Sequence, residues 1–191
     1  MTTLRLIDPA AFVTVPWKNG GGTATDIAVA HDADGEVSWR VGTAAIQKDG
    51  PFSDYAGVTR TFTIVEGPGV HLDFAGAGTR TLGRDEPTRF AGAPAPFCRL
   101  RDGATATAFN LLTRDGSADG YVAIWVGRGV AEPIGPHDAL VVLALEGSWT
   151  LTAGETVVIA EGAAAWLEAP AGAVSLAGMG GRAAVVTITR G

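Results

Sequence analysis

The chain has 191 residues, 47% hydrophobic and 18% charged, which is enough apolar material for a real core and excludes a disordered chain. Its 14 basic against 20 acidic residues give a formal charge of −6 with no basic cluster, which argues against a nucleic-acid partner. No apolar stretch reaches the roughly 18 residues of a membrane span, the N-terminus lacks a secretory layout, and Cys98 is alone, so the expectation is a cytoplasmic protein without membrane association, internal disulfide or thiolate metal cluster.

From the N-terminus, Asp8-Pro9 offers an N-cap followed by proline at the first helical position, predicting one short helical element near Asp8–Phe12. Next comes Pro16-Trp17-Lys18-Asn19-Gly20-Gly21-Gly22-Thr23. Three consecutive glycines suit backbone that turns sharply or approaches another group closely. Lys18 and Asn19 add an ammonium and an amide beside exposed backbone N–H groups, a set suited to a carboxylate or another small polar ligand. The plain alternative is a glycine-rich turn joining two strands. Short β-rich runs bounded by Gly, Pro and Asp then dominate: Ser38–Ile46, Val58–Glu66, Val70–Phe74, Ala106–Thr113, Tyr121–Val126, Ala139–Leu145, Trp149–Ala153, Thr156–Ile159, Ala164–Leu167 and Ala183–Thr189. Their spacing predicts an all-β sandwich or barrel with minimal helix. Asp102-Gly103 reads as a hairpin reversal.

An internal repeat adds to this pattern. Phe62–Gly67 is similar to Leu143–Gly147, with Glu66-Gly67 and Glu146-Gly147 80 positions apart, and Phe90–Ala93 is similar to Ala160–Ala163, with Gly92 and Gly162 70 apart. The first copy is therefore expected to carry about ten extra residues around Ala77–Glu86. The stretch from Val141 through Glu146-Gly147, Gly154-Glu155 and Glu161-Gly162 to Pro170 resembles a cupin half-barrel. Two copies imply a bicupin of RmlC-like jelly-roll type, with a first half over 1–116 and a second over 117–191 packed as one unit.

Many cupins hold a metal through His-x-His, a Glu and a later His, because imidazoles and a carboxylate converge inside the barrel. Counting back from Gly147 places those positions on Ile134, Pro136 and Leu140, with the later one on Ala165; counting back from Gly67 places them on Asp54, Ala56 and Arg60. Neither set is a metal site, and His31, His71 and His137 fall elsewhere, so no metal or other cofactor is expected. Arg60 replaces the metal-binding Glu. A cation in a barrel mouth needs an anion: either an internal acid such as Glu66, six residues on, or a bound carboxylate gripped by the guanidinium fork.

Three segments carry a resemblance to the HutD/Ves family, associated with histidine utilisation. They are Pro16–Ala28 with its Trp-Lys-Asn-Gly-Gly-Gly run, Trp39-Arg40-Val41 followed by Asp49–Gly67, and Phe109–Arg114, in matching order and spacing across roughly residues 4–190. The resemblance implies a bicupin without the usual metal ligands and a regulatory, ligand-binding accessory protein rather than an enzyme of known reaction. The implied ligands are carboxylate-bearing intermediates: urocanate, formylglutamate or the related formimino compound. Gly42-Thr43, Leu112 and Asp115 depart from the family pattern, which bears on pocket size and charge. A homodimer is a further expectation from the resemblance.

The expected site lies in the first half, with the Trp17–Gly22 loop over its mouth. Arg60 pairs with the ligand carboxylate, Lys18 adds a second cation, Asn19 and Asn110 read an amide, formyl or imidazole group, and Trp17 and Phe109 form flat walls. Arg40 is a further candidate cation. Two other classes compete: a metal-free isomerase, lyase or hydrolase using Glu66 or Glu146 as base, and a protein-interaction module working through an exposed sheet edge.

Overall fold

The computed structural model describes residues 2–17 and 20–191. The described residues form nineteen strands: β1 (Thr3–Ile7), β2 (Val13–Pro16), β3 (Gly22–His31), β4 (Val37–Ile46), β5 (Gly50–Pro51), β6 (Val58–Glu66), β7 (Val70–Phe74), β8 (Gly78–Leu82), β9 (Thr88–Ala91) and β10 (Phe97–Leu100), then β11 (Ala106–Arg114), β12 (Ala118–Val126), β13 (Glu132–Ile134), β14 (Ala139–Ala144), β15 (Trp149–Ala153), β16 (Glu155–Ile159), β17 (Ala164–Glu168), β18 (Val174–Gly178) and β19 (Arg182–Arg190). The helical element near Asp8 is a single 3-10 turn, Pro9–Ala11, capped by Asp8 accepting from the Ala10 N–H at 2.8 Å. No helix among the described residues is long and apolar enough to cross a membrane.

The architecture is all-β and of bicupin type. Two compact units are built, one from Val13–Ala118 and the other from the residues up to Phe12 with Asp119–Gly191. In the first, a six-stranded sheet ordered β2-β3-β4-β11-β6-β9 faces a four-stranded sheet ordered β5-β10-β7-β8. In the second, the order β1-β17-β14-β19-β12 faces β13-β18-β15-β16. The strands β4 to β11 and β12 to β19 thus repeat one jelly-roll strand order, with the β4–β11, β6–β11, β6–β9 and β14–β19 pairs antiparallel. The units do not follow one cut after residue 116: β1 pairs along its length with β17, from Thr3↔Glu168 to Ile7↔Ala164.

Each core lies between the two sheets of its unit. In the first unit Ile46, Phe62, Ile64 and Ala108 from the large sheet meet Val70, Leu72, Leu82 and Cys98 from the small one. In the second, Leu140, Val142, Leu167 and Val185 meet Trp149, Leu151, Ile159 and Leu176. Period-2 alternation along β6 and β14 explains which residues face inward.

Three sequence expectations are corrected. Asp102-Gly103 does not close a hairpin: both residues have positive φ, but the turn carries the chain from β10 to β11, which lie in different sheets. The downstream half of the repeat is out of step, because Gly92 follows β9 whereas Gly162 precedes β17. The ten-residue insertion is correspondingly absent; the β7–β8 turn uses residues 75–77 where β15–β16 turns on Gly154. Glu66 does not reach Arg60. Six residues of extended strand span about 20 Å, and exposed Glu66 instead accepts from Thr107 Oγ1 at 3.0 Å beside a register shift in the β11–β6 ladder.

Candidate functional site

The first unit holds a cavity of about 560 Å³, within the size range of small-molecule sites. Its floor is the inner face of the large sheet. The register Arg40↔Leu112↔Arg60 forms one row and Asp26↔Gly42↔Asn110 the next, and all six residues line the cavity. One wall is the Val15–Trp17 segment; the other is the Pro51–Tyr55 segment.

Glycines shape the first wall. The Gly20 N–H donates to the Trp17 carbonyl at 3.0 Å, with Gly20 at φ 66°. The Trp17 N–H donates to the Gly22 carbonyl at 2.9 Å, and a Cβ on Gly22 would lie 1.9 Å from the Ala45 carbonyl oxygen. One glycine supplies the left-handed turn and the other the close approach to β4. Trp17 is thereby set edge-on to Phe52, ring centroids 6.4 Å apart. The second wall is tied by the Phe52 N–H to Pro96 O at 3.0 Å, the Tyr55 N–H to Gly92 O at 2.9 Å, and Asp54 Oδ1 accepting from the Ala95 N–H at 2.6 Å.

Arg60 is 8% exposed and Asn110 6%. Arg60 Nε and Nη2 both donate to Asn110 Oδ1, at 2.9 and 2.6 Å. The guanidinium carbon sits 4.3 Å from the Phe52 ring centroid, 5.2 Å from Phe62 and 5.9 Å from Phe90, a three-ring cation–π cage. No carboxylate pairs with Arg60 among the described residues. Burial pulls its pKa down to about 10, opposed by the charges of Tyr55 and Cys98, so it remains a cation at neutral pH. Such a cation, desolvated and held by an uncharged acceptor, has its anion still to find.

Arg40 also faces the cavity, with its Nε 2.5 Å from Asp26 Oδ1. Phe109 does not. It is fully buried on the opposite face of β11, beside Thr43 and Thr63 in the ladder, because neighbouring strand residues point to opposite faces. Lys18 and Asn19 lie outside the described residues. Phe52, Tyr55, Phe62 and Phe90 are site residues that the sequence reading missed. Phe62 was within its reach, two residues from Arg60 on one face of β6; the others come from separate segments.

Among the described residues the second unit does not repeat this polar cluster. Register places Leu140, Val142, Leu167 and Val185 where the first has Arg60, Phe62, Phe90 and Asn110, and all four belong to a solid apolar core. Glu146 pairs with Arg182, whose Nη2 is 2.6 Å from its Oε1. Among the described residues no group of three or more His, Cys, Asp and Glu side chains is placed to hold a metal ion. His71 Nδ1 contacts Thr81 Oγ1 at 2.8 Å, and His137 Nδ1 contacts the Gly135 carbonyl at 2.6 Å.

The sequence profile of the HutD family matches residues 9–185. The chain belongs to the HutD family. Protein Ves from Citrobacter koseri is 31% identical over 150 residues, 78% of this chain and 76% of Ves. A conserved protein of unknown function from Pseudomonas aeruginosa PAO1 superposes with a TM-score of 0.88 at 23% identity, covering 98% of this chain and 99% of the other. HutD from Pseudomonas fluorescens SBW25, solved in a formate condition, superposes with a TM-score of 0.84 at 24% identity, covering 99% and 100%. At these identities the two structures establish the fold. Gly42, Thr43 and Leu112 all line the cavity, whereas Asp115 accepts from Thr59 Oγ1 at 2.8 Å.

Proposed function

We propose that this chain is a non-catalytic, cytoplasmic sensor of histidine utilisation that binds a small carboxylate in the cavity of its first half. The observation that carries the reading is Arg60: a buried guanidinium at an open cavity, fixed by Asn110 and three aromatic rings, with no acid of its own among the described residues. A carboxylate satisfies it with charge-assisted hydrogen bonds in a low-dielectric setting. Trp17 closes one side, and the sequence next to it supplies a cation and an amide, Lys18 and Asn19. The family's association with histidine breakdown selects the acids to try: urocanate, formylglutamate and the formimino compound.

The disposition of the acids favours sensing over catalysis. Asp26, the one carboxylate lining the cavity among the described residues, is engaged by Arg40. Glu66 is bonded to Thr107 and Glu146 is paired with Arg182, so neither candidate base lines the cavity.

The deciding experiment is calorimetric titration of the protein with urocanate, formylglutamate and glutamate, repeated on Arg60→Ala. One acid is expected to bind at micromolar concentration, and the substitution to remove about 2–5 kcal/mol of affinity. Affinity that survives Arg60→Ala, or a folded protein that binds none of the acids, overturns the reading and turns attention to a protein partner.

A further inference from the structure

We propose that the open edge of β12 is the surface through which two copies of this chain associate, the two β12 strands pairing antiparallel about a twofold axis at Ala123. The inference concerns the second unit and does not rest on the carboxylate reading of Arg60.

Each of the four sheets ends in two edge strands, and an edge leaves backbone N–H and C=O groups open to another chain. Seven of these eight edges are guarded: β1, β2, β5, β8, β9, β13 and β16 are five residues or shorter. Each of the seven also carries a charge or a proline, as with Arg5 in β1, Pro16 in β2, Arg80 in β8 and Glu155 in β16. β12 is the exception. It runs nine residues without Lys, Arg or Pro, and its one charge is Asp119 near the start. Tyr121 is 72% exposed and Val126 59%. A long apolar edge of this kind is a template for strand pairing.

The repeat between the units shows what kind of cover fits there. β12 holds the place in its sheet that β4 holds in the large sheet of the first unit. The outer edge of β4 is covered along its length by antiparallel β3, from Gly22↔Ile46 to His31↔Val37. Among the described residues the second unit has no counterpart of β3, and its sheet stops at β12. The missing cover is an antiparallel strand of similar length and low charge. A second β12 is such a strand, and a twofold axis makes it antiparallel.

Side chains and charges favour an axis at Ala123. In that register Tyr121 lies opposite Trp125 of the second copy, Val122 opposite Ile124, and Ala123 opposite itself, so only methyl groups meet on the axis. Trp125 packs against the core of its own unit, and Tyr121 gains an aromatic cross-strand neighbour on it. Asp119 of one copy falls beside Gly127-Arg128 of the other, acid against base at both ends of the ladder. The two Asp119 side chains stand about 26 Å apart along the strands. That separation matters between copies that each carry a formal charge of −6.

Sedimentation velocity of the full-length protein from about 1 to 100 µM is expected to show a monomer–dimer equilibrium, since a strand-edge interface lies at the small end of specific interfaces. Tyr121→Lys changes a side chain open to solvent in the single chain. It is expected to weaken the dimer at least about tenfold while leaving the melting temperature of dilute protein unchanged. Directly opposed antiparallel residues have Cα atoms about 4.5 or 5.5 Å apart, both within disulfide reach. Ala123→Cys is therefore expected to cross-link the dimer with oxidised glutathione. Cys98 does not compete, because it is buried and burial pushes its thiol up to about 12. Val158→Cys, exposed on β16, is the control and is expected not to cross-link. A monomer throughout the concentration range overturns the proposal. So does a dimer that Tyr121→Lys leaves intact, or one in which Ala123→Cys cross-links no faster than Val158→Cys. The parent measurement and the cross-linking do not depend on whether Tyr121→Lys folds.

Discussion

Arg60 and Asn110 lie on the neighbouring strands β6 and β11, and two guanidinium nitrogens converge on one amide oxygen at 2.9 and 2.6 Å. Register sets this contact diagonally: Arg60 is opposite Leu112, and Asn110 is opposite Phe62. An amide orients the cation without neutralising it. That distinction leaves Arg60 without an acid among the described residues, and the proposed carboxylate reading rests on it.

Asn110→Asp supplies the missing anion from within. The variant is expected to melt a few degrees higher, since an uncompensated buried cation gains a partner worth about 1–2 kcal/mol. It is also expected to lose carboxylate binding about a hundredfold, because ligand and side chain now compete for one guanidinium. Calorimetric melts and titrations read the two effects separately. An Asn110→Asp protein that binds its acid as before would show that Arg60 is not the receptor.

The second unit suggests a more severe exchange. Leu140 and Val185 hold the register positions of Arg60 and Asn110 and sit in a sealed apolar core. Asn110→Val alone strands the Arg60 cation without its acceptor and is expected to cost about 3–5 kcal/mol in urea denaturation. The double variant Arg60→Leu/Asn110→Val removes both polar partners, and its stability is expected to return to the parent level or above while binding is lost. Such non-additivity is the signature of two groups acting as a unit. Additive losses would mean that Arg60 does not depend on Asn110.

How much of this was legible beforehand depends on the range over which each signal acts. Arg60 could be placed by counting back from Glu66-Gly67, because strand register is local and periodic. The same rule shows why Phe109 and Asn110 cannot share a cavity: adjacent positions on β11 point to opposite faces. β3 was missed because Gly22 and Asp26 dilute its β signal and the ladder slips between Asp26 and Ala28. Two-residue β5 and the exposed, polar β8 carry too little apolar pattern to be read as strands. The cage around Arg60 draws Phe52 from a connecting segment and Phe90 from an edge strand, which only the folded topology brings to β6.

The glycines of the Trp17–Gly22 loop are expected to differ sharply under substitution. A Cβ at Gly20 meets nothing within 4 Å, so Gly20→Ala bears only the left-handed backbone penalty of about 1–2 kcal/mol. A Cβ at Gly22 runs into the Ala45 carbonyl on β4, and Gly22→Ala is expected to cost more than about 3 kcal/mol and to weaken ligand binding, since Trp17 and β3 shift together. Urea denaturation of the two single variants checks the order, and equal losses would refute the close-approach role of Gly22.

The pH dependence of Arg60 has opposite signs for folding and for binding. Burial pulls its pKa down to about 10. Below that value the guanidinium is protonated in both folded and unfolded chains, and the cost of burying it does not change with pH. Above it the folded chain releases the proton while the unfolded chain still holds it, so Arg60 contributes increasing stability as pH rises toward its ordinary value. Carboxylate binding requires the cation. Affinity for trans-cinnamate, a carboxylate with a phenyl ring in place of the urocanate imidazole that does not titrate in this range, is therefore expected to stay flat from about pH 6 to 9 and then to fall by up to about tenfold per pH unit above 10. In Asn110→Asp the new carboxylate favours the protonated form and moves Arg60 back up, removing its contribution to the alkaline gain in stability. A break in cinnamate affinity between about pH 6 and 8 would assign the anion to a group other than Arg60, since no guanidinium titrates there.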